Sequence, residues 1–156
     1  EDDGYRRFLN RFWLPLKQKL PEGQSILEFG CGPGPALAQM MKDDGHKVSL
    51  YDHFYYSNED VLIEQGYDVV TATEVFEHLH QPKPVLESCL SLIKPSGWLG
   101  IMTKLVSSQE AFVNWHYKND LTHVIFFSQE TFLWIADTYQ LKLEFADKDV
   151  ILLRKA

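Results

Sequence analysis

The chain has 156 residues and a formal net charge of −7, with 45% hydrophobic and 24% charged residues. This composition is typical of a globular protein, and the length fits one domain around one hydrophobic core. The acidic balance argues against sequence-independent nucleic-acid binding, which depends on Lys and Arg contacts to phosphates. No apolar run approaches the roughly 18 residues that span a bilayer, and the two cysteines do not suggest a disulfide framework. We therefore expect a cytoplasmic protein consisting of a single domain, residues 1–156.

The first 22 residues form an N-terminal segment with helical spacing. Pro15 lies inside this segment, so we expect the helix to kink or split there. The apolar positions that recur at helical intervals are Tyr5, Phe8, Leu9, Phe12, Trp13, Leu16 and Leu20.

The next part of the chain alternates short apolar strands with a helix. Ser25–Phe29 reads as a buried strand that runs into a glycine loop, and a helix follows from about Pro35 to Asp44. Lys47–Tyr51 and Tyr67–Ala72 are the second and third predicted strands.

The remaining elements continue this alternation and close with a hairpin. We predict a helix over Pro82–Ile93, a turn at Pro95–Gly97 and a strand over Trp98–Thr103. After a long segment without clear periodicity, Ser128 is a good N-cap for a helix to about Tyr139. The last two strands, Leu141–Ala146 and Val150–Arg154, are expected to pair through a turn at Asp147–Asp149. The pattern predicts an α/β fold, a Rossmann-like doubly wound and mostly parallel sheet with a C-terminal antiparallel hairpin.

The glycine loop Glu28–Gly34 indicates a ligand site, because glycines let a ligand approach the backbone closely. Asp52 ends the next strand, where a carboxylate can bind both hydroxyls of a ribose. Glu28 lies two residues before the first glycine and is placed to face a cationic ammonium. A dinucleotide fingerprint needs a third small residue, but Pro35 or Leu37 stands there. A nicotinamide-dependent oxidoreductase is therefore the weaker interpretation.

These residues resemble a known family. Glu28–Gly34 is similar to motif I of class I S-adenosylmethionine (SAM)-dependent methyltransferases, and Asp52 matches the ribose-binding acid of that family. Leu92–Leu99 resembles its Leu-Lys-Pro-Gly-Gly turn. The resemblance implies methyl transfer by in-line displacement to a small molecule, with oxygen as the expected acceptor atom; a SAM-binding protein without activity is the alternative. The implied cofactor-binding residues are Glu28, Phe29, Gly30, Cys31, Gly32, Gly34, Asp52, His53, Thr73 and Glu74.

The connection between Asp52 and Tyr67 is shorter than in that family. Only 14 residues separate the two positions, which is too few for the usual helix and additional strand. We expect a sheet shortened at this edge. Phe54 and Tyr55 then either form walls for the adenine or cover the sheet edge.

Glu74–His78 resembles the Glu-x-x-Glu-His segment of small-RNA 2′-O-methyltransferases and ubiquinone-biosynthesis O-methyltransferases. In those families the segment holds a divalent metal ion, which implies Glu74, Glu77 and His78 as ligands here, with His123 or His116 as a fourth. In the alternative interpretation these residues line the SAM pocket or cap the next helix without a metal.

The segment from Trp115 to Phe127 combines polar and aromatic residues after the strand over Trp98–Thr103. Such a segment commonly forms the acceptor pocket in the resembling family. His123, His116 and Asp120 are the candidate catalytic residues, since a histidine can remove the proton of an attacking hydroxyl. We expect a small-molecule acceptor, and the sequence does not indicate an oligomeric state.

Overall fold

A computed structural model describes residues 3–106 and 127–156 of the chain. Within these residues six strands form one sheet in the order β2-β1-β3-β4-β8-β7. Strands β1 to β4 are parallel, and β8 is antiparallel between β4 and β7. The element bounds are α1 (Asp3–Lys17), β1 (Ser25–Phe29), α2 (Ala36–Asp43), β2 (Lys47–Tyr51), β3 (Tyr67–Thr73), α3 (Pro82–Ser91), β4 (Ile93–Met102), β5 (Leu105–Val106), β6 (Phe127–Ser128), α4 (Gln129–Tyr139), β7 (Lys142–Asp147) and β8 (Val150–Arg154). The short strands β5 and β6 pair separately.

Helices cover both faces of the sheet. Consecutive side chains of a strand point to opposite faces, and in β1 Ile26 packs with helices α1 and α2, whereas Leu27 packs with α3 and α4. Both residues are fully buried. The predicted Rossmann-like, doubly wound sheet with its C-terminal hairpin is confirmed. No helix among the residues described is long and apolar enough to cross a membrane.

Helix α1 corrects one prediction. It continues through Pro15 as a single helix and ends at Lys17, so of the two expected outcomes, a kink or a split, the split does not occur. Pro15 has no backbone N–H and cannot donate the helical hydrogen bond to the carbonyl four residues earlier. Because it lies in the last turn, only two helical residues follow this missing bond. Buried residues on both sides of Pro15, including Trp13 and Leu16, hold this turn on the sheet. The helix packs directly on the backbone of β4, since a Cβ on Gly100 would lie 2.7 Å from Cζ of Phe12.

Strand β4 begins earlier than predicted. It runs from Ile93, and the expected turn Pro95–Gly97 lies inside it as a bulge, because Tyr67 pairs with Ile93 whereas Val69 pairs with Trp98. A side chain on Gly97 would approach the backbone oxygen of Asp68 to 2.6 Å. The glycine therefore allows β4 to rejoin β3 after the bulge.

The sheet is shortened at the edge formed by β2, as predicted. Between β2 and β3 the chain forms only a β-bridge between Asp52 and Tyr56 and a 3₁₀ turn at Glu59–Val61. Strand β2 is therefore an edge strand, and its carboxyl end is open to the site described next.

Candidate functional site

A cavity of about 460 Å³ lies at the carboxyl ends of β1, β2 and β3. We call it the donor cavity. Five predicted cofactor-binding residues line it, which are Phe29, Gly30, Asp52, His53 and Glu74. Ligands of open α/β sheets bind just beyond the carboxyl ends of the strands. The donor cavity thus lies where the glycine loop predicted a ligand site.

The glycine loop connects β1 to α2 in a conformation that requires glycine at two positions. Gly30 and Gly32 have φ angles of 74° and 71°, which side chains rarely adopt. A Cβ on Gly30 would also lie 2.5 Å from Cγ2 of Val75. A Cβ on Gly34 would meet no atom of residues 3–106 or 127–156 within 4 Å, so its open side faces space that a ligand can occupy.

Asp52 joins the loop to the end of β2. Its Oδ2 atom accepts a hydrogen bond from Gly32 N (2.8 Å), and its Oδ1 atom accepts from Phe54 N (2.9 Å) and Tyr55 N (3.2 Å). These bonds orient the carboxylate toward the donor cavity. Oδ2 keeps a second lone pair with which it can accept a ribose hydroxyl.

Glu28 is a buried carboxyl group behind the glycine loop. It is 3% exposed, and its Oε2 atom has no hydrogen-bond partner among the residues described. Burial raises the pKa of Glu28 to about 7, although the N–H group of Ala38 and the charge of Lys42 act in the opposite direction. A nearby cation would favour the ionised form. The site therefore fits an ammonium group.

Glu74 and Glu77 form a carboxyl pair after β3. Glu74 has a φ of 58°, and its N–H donates to the backbone oxygen of Met102 (2.8 Å). Glu77 is fully buried, and its Oε1 atom accepts a hydrogen bond from the Thr103 hydroxyl (3.1 Å). Burial, a hydrogen bond to Glu77 and repulsion from Glu77 raise the pKa of Glu74 to about 8. Glu74 is therefore mostly protonated at neutral pH.

Comparison with known proteins identifies the family. The sequence profile of the methyltransferase domain (Methyltransf_23) matches residues 2–144. The chain belongs to this methyltransferase family. The ubiquinone biosynthesis O-methyltransferase of Thiobacillus denitrificans is 32% identical over an alignment covering 58% of this chain and 48% of that protein. The ubiquinone biosynthesis O-methyltransferase of Paraburkholderia xenovorans has the same identity and the same coverage of both chains. The chain spans about half the length of these curated relatives.

Solved structures confirm the fold of the methyltransferase. The 1,6-didemethyltoxoflavin-N1-methyltransferase of Burkholderia thailandensis, solved with S-adenosylhomocysteine, has a TM-score of 0.68 at 14% identity and covers 92% of this chain and 76% of its own. A SAM-dependent methyltransferase from Archaeoglobus fulgidus has a TM-score of 0.62 at 23% identity and covers 92% of this chain and 78% of its own. The prediction of a class I SAM-dependent methyltransferase is confirmed, with SAM as the cofactor of the family.

The predicted metal ligands do not form a metal site on their own. Across residues 3–106 and 127–156, no three His, Cys, Asp or Glu side chains come together as a group that could hold a metal ion. Glu77 accepts a hydrogen bond from the Thr103 hydroxyl inside the fold, and Glu74 has a pKa raised to about 8 by burial and by Glu77. His78 lines the donor cavity. The described residues therefore do not fit a metal, and the remaining predicted ligands, His123 and His116, lie outside the described residues.

The other predicted site residues have separate outcomes. The candidate catalytic residues His116, Asp120 and His123 all lie outside the described residues, so their role stays a prediction. Burial, followed by the charges of Glu28 and Asp52, raises the pKa of Cys31 to about 12. This thiol remains protonated and is not a nucleophile. Thr73 ends β3 beside Glu74, and its contact with SAM stays a prediction.

Several residues near the donor cavity were not predicted from the sequence. Tyr5 of α1 is half-exposed, and burial together with the charges of Glu28 and Glu74 raises its pKa. Val75 and Leu79 line the cavity opposite the glycine loop. Of the two aromatic residues that the sequence named as adenine walls or edge cover, Phe54 lines the cavity and is 84% exposed, whereas Tyr55 does not line it. No local pattern marks Tyr5, because only the packing of α1 on the sheet brings it close to β1.

Proposed function

We propose that this methyltransferase transfers the methyl group of SAM to an oxygen atom of a small-molecule acceptor. The observation that carries the proposal is the donor cavity, which combines the glycine loop, the Asp52 carboxylate and Glu74 at one edge of the sheet. The names of the curated relatives, ubiquinone biosynthesis O-methyltransferases, support oxygen as the acceptor atom. We also propose that residues 1–156 act as one domain that includes the N-terminal helical segment.

Each polar group of the site has a proposed role in holding SAM. Asp52 accepts hydrogen bonds from the ribose hydroxyls. Glu28 faces the ammonium of the methionine part, because its Oε2 atom is buried without a partner in the described residues. Gly34 lets the backbone approach the ligand, since no residue that the structure describes fills the space at its Cα. His53 and Phe54 lie at the part of the cavity that follows β2.

The reaction is an in-line displacement. A lone pair of the acceptor oxygen forms the new O–C bond while the C–S bond of SAM breaks. The electron pair of the broken C–S bond stays on sulfur, which gives S-adenosylhomocysteine. The sulfonium is already a reactive donor, so the protein mainly supplies proximity and alignment. The hydroxyl proton of the acceptor must leave, and the candidate base is the predicted His123.

Calorimetric titration with SAM tests the proposal directly. We expect binding in the micromolar range and release of S-adenosylhomocysteine when hydroxylated aromatic acceptors are added. Transfer to the matching aromatic amines, with none to the hydroxyl compounds, contradicts oxygen as the acceptor atom. Absence of SAM binding contradicts the function as a whole, and SAM binding without transfer to any acceptor favours a binding protein.

A further inference from the structure

Two buried polar atoms of strands β1 and β3 have no hydrogen-bond partner among the residues described. They are Oε2 of Glu28 and Oγ1 of Thr71, and the two residues are 3% and 0% exposed. A third such atom, Oε2 of Glu77, belongs to a carboxyl group that already accepts from Thr103 through Oε1. Burying a polar group without a partner costs free energy, so such atoms are uncommon in folded proteins. Glu28 and Thr71 therefore mark a place where a bound group can donate hydrogen bonds.

Glu28 and Thr71 are neighbours on one face of the sheet. Glu28 is in register with Thr71, as Ile26 is with Val69. Side chains two residues apart in a strand point to the same face, and Ile26 and Val69 both belong to the core cluster that packs with α1 and α2. Glu28 and Thr71 thus lie side by side on that face, in strands about 4.8 Å apart. A single bound group can contact both.

Strand β4 provides an apolar neighbour for Thr71. On this side Thr71 is in register with Gly100, which has no side chain. Phe12 of α1 lies there instead, since a Cβ on Gly100 would be 2.7 Å from Cζ of Phe12. The polar side chain beside Thr71 in the adjacent strands is therefore that of Glu28.

The pair lies just below the donor cavity. Gly30, two residues after Glu28, lines this cavity, and so does Glu74, three residues after Thr71. Burial and then the charge of Glu28 raise the pKa of Cys31, so the Glu28 carboxyl is within electrostatic range of the glycine loop. A cationic group of a ligand in the donor cavity can therefore approach the pair between the ends of β1 and β3.

We propose that the Thr71 hydroxyl is a second acceptor for the ammonium group of SAM, beside the Glu28 carboxylate. The inference rests on the proposed function and deepens its donor site. An ammonium group has several N–H donors, so one can donate to Oε2 of Glu28 while another donates to Oγ1 of Thr71. A ligand without this group leaves both atoms buried and unpaired, and sites built for hydrogen bonds reject such ligands strongly.

Calorimetric titration with two ligands tests the role of Thr71. The ligands are S-adenosylhomocysteine and its deamino analogue, in which a hydrogen atom replaces the ammonium group. We expect the parent protein to prefer S-adenosylhomocysteine roughly a hundredfold. Thr71→Val keeps the shape of the side chain but removes the acceptor, so it should reduce this preference roughly tenfold. The affinity for the deamino analogue should stay unchanged.

Two further variants control for the substitution itself. Thr71→Ser keeps a hydroxyl and should retain most of the preference. Thr103→Val makes the same exchange at a hydroxyl that already has a partner, Glu77, and should leave the preference unchanged.

Urea unfolding without ligand gives a second readout. Thr103→Val should lower the urea midpoint by roughly 0.5 M or more, because a hydrogen bond is lost. Thr71→Val should be at least as stable as the parent, because the hydroxyl that it removes has no partner in the described part of the chain. The valine thus weakens the ligand complex without weakening the fold, which a purely structural role of Thr71 would not produce.

Three results overturn the proposal while the proposed function stands. They are equal affinity of the parent for the two ligands, an unchanged preference in Thr71→Val, and an equal loss of affinity for both ligands in Thr71→Val. A fall in the urea midpoint of Thr71→Val as large as that of Thr103→Val also overturns it, since the hydroxyl then has a partner in the unliganded protein. If the parent does not bind S-adenosylhomocysteine at all, the proposed function fails and the role of Thr71 fails with it.

Discussion

The donor cavity and a second cavity, whose described lining residues are Lys104, Leu105, Lys148 and Asp149, are built differently. In the donor cavity the backbone dominates, with positive φ angles at Gly30 and Gly32 and an Asp52 carboxylate that binds loop N–H groups. In the second cavity, side chains from distant parts of the chain meet, held by the contact of Arg11 with Asp149. The difference shows why a short motif predicts the donor cavity, whereas no motif marks the second cavity.

The largest expected effect is on the donor side. Asp52→Ala removes the proposed ribose contact together with the clamp on Gly32, and each hydrogen bond to a charged group contributes about 1.5–3 kcal/mol. We expect SAM affinity to fall by about a hundredfold or more in calorimetry. Asp137→Asn, an exposed substitution on α4, is the control and should bind SAM normally. An unaffected affinity in Asp52→Ala would remove Asp52 from the site.

Glu28→Gln is expected to change the stability of the folded protein and its affinity for SAM in opposite directions. Burial raises the pKa of Glu28 from 4.5 to about 7 in the folded chain. The folded protein therefore loses stability as pH rises from about 4.5 to about 7, and the full loss, about 3 kcal/mol at most, is present above that range. Glutamine does not titrate, so the variant should gain stability relative to the parent between pH 5 and pH 8.

Urea unfolding of both proteins at pH 5 and pH 8 measures this difference. SAM titration of Glu28→Gln at pH 7 should show weaker binding, because the ammonium loses its anionic partner. Equal stability differences at the two pH values would contradict the raised pKa of Glu28.

Thr103→Val tests the side-chain network between the two cavities. The substitution removes the hydroxyl that donates to Glu77 and leaves a buried carboxyl oxygen without this donor. We expect the free energy of unfolding to fall by about 1–3 kcal/mol in urea denaturation. SAM affinity should change less than twofold, and a loss as large as that of Asp52→Ala would place Thr103 in the donor site.

The smallest expected effect comes from Gly34→Ala. The new methyl group meets no atom of the described part of the chain within 4 Å, so the unfolding temperature should stay within a few degrees of the parent. Because the space is proposed to hold SAM, we expect a loss of affinity of about 1 kcal/mol, roughly fivefold. Unchanged affinity would mean that SAM does not approach the loop at this position.

The sequence predicted the features that local chemistry determines. Strand β1, the glycine loop and Asp52 follow each other within 28 residues, so the position of the donor cavity could be inferred from the sequence. A split of α1 at Pro15, the alternative to a kink, does not occur, because tertiary burial of α1 outweighs one missing hydrogen bond. Tyr5 was not predicted to lie near Glu28 and Glu74, because this proximity arises from contacts between elements far apart in the chain, which periodicity does not encode.

The pairing of β4 with β8 has a consequence for biosynthesis. Helix α1 contacts β4 at Gly100, and Arg11 contacts the hairpin turn, so α1 completes its contacts only after this turn has been synthesised. On the ribosome β4 keeps an unpaired edge until β8 emerges, and such an edge invites pairing with other chains. Contacts of this long sequence separation slow folding. A chaperone that covers the open edge of β4 during this stage therefore favours the native sheet.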